Sequence, residues 1–324
     1  IKSRGIGDVY KRQDAGDYNK YIVNSSISVY FILLPYEICP GCFPDGATNI
    51  PQSNNGQSDL LDEARFNLEW MLSMQDPADG GMYHKLTSKN FSGMIMPEDD
   101  DATRYVVQKS TAAALDFAAV AAYASRLFKA TDAAFAQQLL EAARKAWTWA
   151  EQNPDTIYQQ PDDISTGTYT NPHDTLEDEW TWARVEIFLS TGEQKYLEDW
   201  SGGEQAGGLP SWSHMSPLAW LSLLNSNDAP SDLKAIARQH ILASADTLLN
   251  EAQVGYRVSI GAYDGSLNDG VYQRDWVWGS NGVAAVQVIM LEQAYRLTNN
   301  RDYLDAATGN LDYLLGRNPN GISY

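Results

Sequence analysis

The sequence predicts an all-α fold built from repeated helical hairpins, and three observations carry that expectation. Apolar residues recur at helical spacing along most of the 324-residue chain. A short turn runs into an amphipathic helix in "TDAAFAQQLLEAARKAW", "TGEQKYLEDW", "APSDLKAIARQHILASADTLL" and "TNNRDYLDAATGNLDYLL". Sustained strand alternation is scarce. The anchors of the recurring turns are Phe135, Tyr196, Leu233 and Tyr303, and before most of them another helix ends. Repeated hairpins either stack into an open solenoid or close into a toroid. The long, aromatic-rich loops between them favour a toroid with a working face, because a solenoid keeps its connections short.

In chain order, residues 22–36 predict the first helix. "SDLLDEARFNLEWMLSMQ" (58–75) places Leu60, Leu61, Ala64, Leu68, Met71 and Leu72 on one face, with Ser58 or Asp59 able to cap its start. "STAAALDFAAVAAYASRLFK" (110–129) is Ala-rich and apolar nearly all round, as a helix buried on several sides would be. Further helices are expected at 133–152, 177–191, 215–225, 231–250, 280–297 and 301–315. The loops between them hold Tyr83, Phe91, Tyr169, Trp212, Tyr263, Tyr272, Trp276 and Trp278. Flat aromatic faces stack on the apolar C–H faces of pyranose rings, and core packing is the competing role. The Trp residues clustered outside helices point to a groove.

Hydrophobic residues make up 44% of the chain and are spread along its length, which is a globular composition. The formal net charge of −19 repels nucleic acid and anionic lipid, whereas a neutral sugar is not penalised. No apolar run approaches the ~20 residues that cross a bilayer, so neither nucleic acid nor a membrane is expected as a partner. The opening "IKSRGIGDVYKRQ" lacks the apolar centre of a signal peptide. "GDVYKRQ" reads as a translated sequencing-adapter scar, and residues 1–13 are set aside from the fold. Cys39 and Cys42 form "CPGC". No βαβ pattern surrounds them and no second CxxC completes a zinc site, so a loop disulfide or two plain thiols is expected.

"DAGDYNKY" (14–21) sets Asp14 and Asp17 three residues apart around Gly16. Two nearby carboxylates can share one water, one accepting its proton while the other orients it. Spacing alone favours a plainer role, with Asp17 capping a helix that begins near Tyr18. "EDDDA" (98–102) could hold Ca²⁺ but has no EF-hand spacing, and a solvated acidic loop is the competing reading.

The surrounding letters are more specific. "DAGDYNKYIVN" followed by "GQSDLLDEARFNLEWMLSMQDPADGGMYHKLT" resembles the glycoside hydrolase family 9 catalytic domain, the inverting cellulases. So do "FSGMIMPE", "DEWTWARVEIFLSTGEQKYL" and "WVWGSNGVAAVQVIMLEQAYRLTNNRDYLDAATGNLDYLLGRNPNG". The resemblance covers residues 14–324 and is nearest to bacterial members with an immunoglobulin-like domain ahead of the catalytic one. It implies an (α/α)6 toroid, incomplete here. By resemblance Asp17 is the general base and Asp14 helps hold the nucleophilic water. His84 in "MYHKLT" matches a sugar contact near the cleavage point; a loop histidine with a local partner is the alternative. Tyr169 in "GTYTN" matches a groove aromatic. Trp212 matches a stacking Trp, although the family's "SWDDK" reads "SWSHM" here. Trp278 in "WVWGSN" matches another groove Trp, with Trp276 as its competitor. Asp178 and Glu179 look like structural acids of the toroid.

An inverting glycosidase also needs a protonated carboxylic acid about 6.5–9.5 Å from the base. The family's acid is a Glu beyond "GRNPNG", and the family normally has a substantial segment before "DAGD". The chain is therefore expected to be a fragment truncated at both ends and to lack appreciable turnover by itself. The implied activity of the parent is inverting hydrolysis of β-1,4-glucosidic bonds in cellulose or a related β-glucan. The alternatives are an exo-acting glucosaminidase or cellodextrin hydrolase on the same scaffold, or a non-catalytic sugar-binding toroid. The implied partner is a β-glucan or cello-oligosaccharide, the implied location extracellular or periplasmic. No cofactor is required, with structural Ca²⁺ left open.

Overall fold

The computed structural model describes residues 17–170, 175–198, 200, 202, 208–253, 259 and 279–324. The chain divides into two compact units, Ile1–Asp199 with Ser211–Met215 and Trp200–Pro210 with Ser216–Tyr324. Among the described residues helix dominates, as expected, and the helix ends fall within two residues of the sequence expectation.

The first unit holds helices α1 (Ile22–Ile38), α2 (Asp59–Ser73), α3 (Thr111–Phe128), α4 (Ala133–Gln152) and α5 (Glu177–Thr191). Its centre is α3, which packs against α1, α4 and α5. Every residue of α3 except Arg126 and Leu127 is buried, and its many alanines let neighbouring helices approach closely on several sides. The Ser110 hydroxyl caps the helix by accepting from the Ala113 N–H at 3.2 Å. Two of its polar side chains reach neighbouring helices. Arg126 donates to Glu186 at 2.6 Å and to Ser190 at 2.7 Å on α5. The Tyr123 hydroxyl donates to Glu37 of α1 at 3.0 Å. Helix α5 ends at Gly192, whose φ of 72° is the left-handed conformation that glycine adopts without strain.

Three strands too short to show periodicity lie across this unit: β1 (Lys20–Tyr21), β2 (Lys85–Thr87) and β3 (Tyr105–Val106). They form one antiparallel sheet in the order β1-β2-β3. Tyr21 stands opposite Lys85, and Leu86 opposite Val106. Between α1 and α2 the chain is a loop closed at one end by the Cys39–Cys42 disulfide, one of the two states expected for this pair. At its other end Asp59 accepts from the Gly46 and Thr48 N–H groups at 3.0 and 2.7 Å and from the Ser53 and Thr48 hydroxyls. The expectation that Ser58 or Asp59 caps α2 is corrected here. Neither side chain makes a cap bond, because Asp59 turns back to the loop and Ser58 donates to Phe43 O at 2.6 Å.

The second unit holds α6 (Ser216–Asn225), α7 (Ser231–Glu251), α8 (Ser280–Thr298) and α9 (Arg301–Leu314). Helices α6 and α7 pack together, as do α8 and α9. Trp220 stacks on Trp200 at 5.9 Å and on His240 at 4.5 Å. Of the turn anchors, Phe135, Tyr196 and Tyr303 are buried, while Leu233 is half-buried. No described helix is long and apolar enough to cross a membrane.

Candidate active site

Asp17, Asn19 and Tyr21 lie on a segment that bends at residues 17 and 18 and then enters β1. The Asn19 and Tyr21 side chains converge on the Asp17 carboxylate. All three are buried. The Asn19 amide and the Tyr21 hydroxyl both donate to Asp17 Oδ2, at 2.5 and 2.9 Å. Asp17 Oδ1 takes no hydrogen bond from the described residues. Asn19 is itself fixed, since its Oδ1 accepts from the Ser88 N–H at 2.8 Å and from the Thr87 hydroxyl at 3.1 Å. The cap reading of Asp17 does not hold: α1 starts at Ile22, its N-cap is Tyr21, and no side chain caps it.

Tyr21 carries the geometry outward. Its ring meets that of Tyr169 edge-on at 4.7 Å, and Tyr169 meets Trp212 edge-on at 5.2 Å. Tyr169 has a φ of 47°, left-handed and uncommon for an aromatic residue. Such conformations persist only where the surroundings over-determine them, and they cluster at ligand sites. Trp212 is 37% exposed. It sits on a tight turn in which Ser211 and His214 exchange backbone hydrogen bonds at 3.1 and 3.0 Å. Asp178 secures that turn by accepting from the Met215 N–H at 2.6 Å. Tyr158, Tyr169, Thr170, Glu179 and Trp212 together line a cleft.

His84 is fully buried. Its Nδ1 is 2.7 Å from the Ser110 hydroxyl and its Nε2 is 2.6 Å from Thr168 O. A carbonyl only accepts, so Nε2 carries the proton and Nδ1 accepts from Ser110. Burial pulls its pKa down to about 4, the Thr168 bond opposing and the nearby Lys85 charge reinforcing. The ring is stacked on Tyr158 at 4.4 Å. Both ring nitrogens thus have local partners. Lys85, next on β2, donates to Gly167 O at 2.6 Å and to Thr166 Oγ1 and Gln160 Oε1 at 2.9 Å.

The structure thus brings Asp17, Tyr169 and Trp212 into one chain of contacts, with His84 beneath it. Asp14, Tyr263, Tyr272, Trp276 and Trp278 lie outside the described residues. Tyr83 donates to Asp76 at 3.0 Å, and Phe91 is exposed beside Tyr105 in a second, more open cleft. In the acidic loop Asp100 is turned to Arg104, and among the described residues no three His, Cys, Asp or Glu side chains converge to hold a metal. The sequence reading missed Asn19, Tyr21 and Lys85. The first two stand two and four residues after Asp17, next to the motif that singled it out.

A model of the family described as glycosyl hydrolase family 9 matches residues 13–324. The chain is 40% identical over 328 residues to the xyloglucan-specific endo-β-1,4-glucanase BoGH9A of Bacteroides ovatus, covering 96% of this chain and 54% of that protein. It is 31% identical to endoglucanase D of Acetivibrio thermocellus, covering 96% of this chain and 49% of that protein. It thus spans about half the length of these relatives. Among solved structures, a Bacteroides ovatus GH9 protein aligns with a TM-score of 0.86 at 39% identity, over 96% of this chain and 58% of that one. A metagenome-derived glycoside hydrolase family 9 endoglucanase aligns with a TM-score of 0.85 at 35% identity, over 96% and 56%. The fold class is therefore all-α, of the α/α-toroid kind. With the family model covering nearly every residue, and the same helices recurring in solved family 9 enzymes, the chain belongs to glycosyl hydrolase family 9.

Proposed function

We propose that these residues form the water-activating side of a site for inverting hydrolysis of β-1,4-glucosidic bonds in cellulose or a related β-glucan. One observation carries the reading: a buried carboxylate has one oxygen fixed by two donors and joins, through Tyr21, an aromatic pair at a cleft. Fixing Oδ2 leaves Oδ1 to accept the proton of an attacking water, which is what a positioned general base needs. Tyr169 and Trp212 supply the flat faces on which a pyranose ring stacks. Asp14 is proposed to orient the water with Asp17, and Trp278 to extend the groove. No glutamate among these residues is assigned the part of the general acid. A glucan polymer is met outside the cytoplasm, so the proposed location is extracellular or periplasmic.

The relatives support the backbone linkage and differ in mode. Besides the endoglucanases they include a cellulose 1,4-β-cellobiosidase of Acetivibrio thermocellus at 35% identity and a cellodextrinase of Butyrivibrio fibrisolvens at 29%. Action on short cellodextrins is the second reading. The test joins these residues to the family's general acid and follows product stereochemistry by proton NMR. Inversion at the anomeric carbon is expected. Asp17→Asn should cut hydrolysis by at least about 10²-fold while still binding cello-oligosaccharides. Retention of configuration, or an active Asp17→Asn variant, overturns the assignment.

A further inference from the structure

Lys85 of β2 and His84 just before it grip adjacent carbonyls of one loop. His84 holds Thr168 O and Lys85 holds Gly167 O, both at 2.6 Å. The next residue is Tyr169, held left-handed against Tyr21 and Trp212. Lys85 is fully buried, yet its three hydrogen-bond acceptors are all neutral. Among the described residues no carboxylate pairs with it directly. A buried charge without a close partner is costly unless other groups compensate it. The rings of Tyr21 and Tyr158 lie 5.5 and 5.4 Å from its Nζ and offer their π faces.

Two contact routes lead from Lys85 to Asp17. In the first, Tyr21 stands opposite Lys85 in the sheet and donates its hydroxyl to Asp17 Oδ2 at 2.9 Å. In the second, Lys85 bonds Thr166 Oγ1, which lies 2.6 Å from Thr87 Oγ1. Thr87 donates to Asn19, and Asn19 donates to Asp17. A methionine at position 85 would fill the space but leave Gly167 O without the lysine donor, whereas Gln160 Oε1 would keep the Tyr158 hydroxyl and Thr166 Oγ1 its Thr87 partner.

We propose that Lys85 is a positioning residue of the hydrolytic site, whose ammonium couples the Asp17 carboxylate to residues 166–168 and so sets Tyr169 in the sugar groove. This rests on reading Asp17 as the base and Tyr169 with Trp212 as the sugar platform. The groups facing Lys85 are Asp17 from the segment entering β1, Tyr21 from β1, Tyr158 from the segment before α5, and His84 from the residue just before its own strand. Burial lowers Lys85 to about 8, with Asp17 opposing the shift. As pH rises through that value the ammonium loses its charge and one of its three donors.

The test needs no hydrolysis. Near-ultraviolet circular dichroism of this chain reads the Tyr169–Trp212 pair, with Tyr169→Leu identifying its band. The wild-type band is expected to change with a midpoint near pH 8, and Asp17→Asn should move that midpoint to lower pH. Lys85→Met should show the high-pH spectrum at neutral pH and bind cellotetraose about tenfold more weakly, with no remaining pH step. A wild-type spectrum without the step, or a step that Asp17→Asn leaves in place, overturns the proposal. So does a folded Lys85→Met chain with the native band and undiminished binding. If Lys85→Met fails to fold, the wild-type and Asp17→Asn titrations decide. A wild type that binds no cello-oligosaccharide overturns the sugar-platform reading, and the spectroscopic titration still decides Lys85.

Discussion

Tyr21 uses the two parts of one side chain for different ends. Its hydroxyl fixes Asp17 Oδ2, while its ring supports Tyr169 and faces Lys85. Tyr21→Phe separates them, removing the donor and keeping the ring. A hydrogen bond to a carboxylate contributes about 1.5–3 kcal/mol, so kcat should fall about tenfold or more. KM for a cello-oligosaccharide should change far less, because the ring under Tyr169 remains. Steady-state kinetics on the enzyme with its general acid checks this; equal losses in kcat and binding would place Tyr21 in the groove rather than at the base. At this scale the sequence was only partly legible. Asp17 stood out through the letters around it, but its spacing from Asp14 suggested a helix cap. What displaced that reading was the start of α1 at Ile22, past the reach of Asp17, and the hydrogen bonds that Asn19 and Tyr21 donate to Asp17. Lys85 could not be found from pattern, because a lysine between His84 and Leu86 gives no sign that its ammonium will be buried against carbonyls.

Helices were legible because amphipathic periodicity repeats over several turns in α2, α4, α7 and α9. Strands of two or three residues offer no such repetition, so the sheet that positions Asp17 was not visible. Nor was the left-handed backbone of Tyr169 and Leu176, which tertiary contacts impose. The loop between α1 and α2 shows the same limit. Its order comes from acidic side chains that sequence reading assigns to caps. Asp59 anchors it with four accepted hydrogen bonds. Those bonds, the Thr48 N–H foremost, hold its carboxyl below the usual carboxylate range. A depressed carboxylate contributes fully above its unfolded pKa and loses that contribution as pH falls through the folded value. Asp59→Asn replaces one acceptor with a donor that cannot answer the loop's N–H groups. Amide exchange at Gly46 and Thr48 should quicken by about tenfold or more, with exchange inside α3 unchanged. Unaltered exchange at both amides would show that the loop is ordered without the Asp59 anchor.

Over the molecule as an unfolding unit, half-buried Glu37 and buried His84 pull the pH dependence of stability in opposite directions. Burial raises Glu37 from 4.5 to about 7, with Glu186 reinforcing and Arg126 and the Tyr123 hydroxyl opposing. Its contribution is full below the unfolded value of 4.5 and is lost as pH rises through about 7. His84 is displaced the other way, from 6.5 to about 4. Its neutral ring contributes fully above 6.5, and that contribution is lost as pH falls through about 4. Between 4.5 and 6.5 the fold therefore retains a proton at Glu37 that the unfolded chain has released, and excludes one at His84 that the unfolded chain binds. The two displacements are of similar size, so their slopes offset. Single variants should expose each. The urea midpoint of Glu37→Gln should rise with pH across that window, because His84 then acts alone. That of His84→Gln, which keeps a donor for Thr168 O and an acceptor for Ser110, should fall. Groups common to both variants add the same baseline to each, so the difference between the slopes isolates the pair. Parallel slopes in the two variants would mean that the proton balance of folding is set elsewhere in the chain.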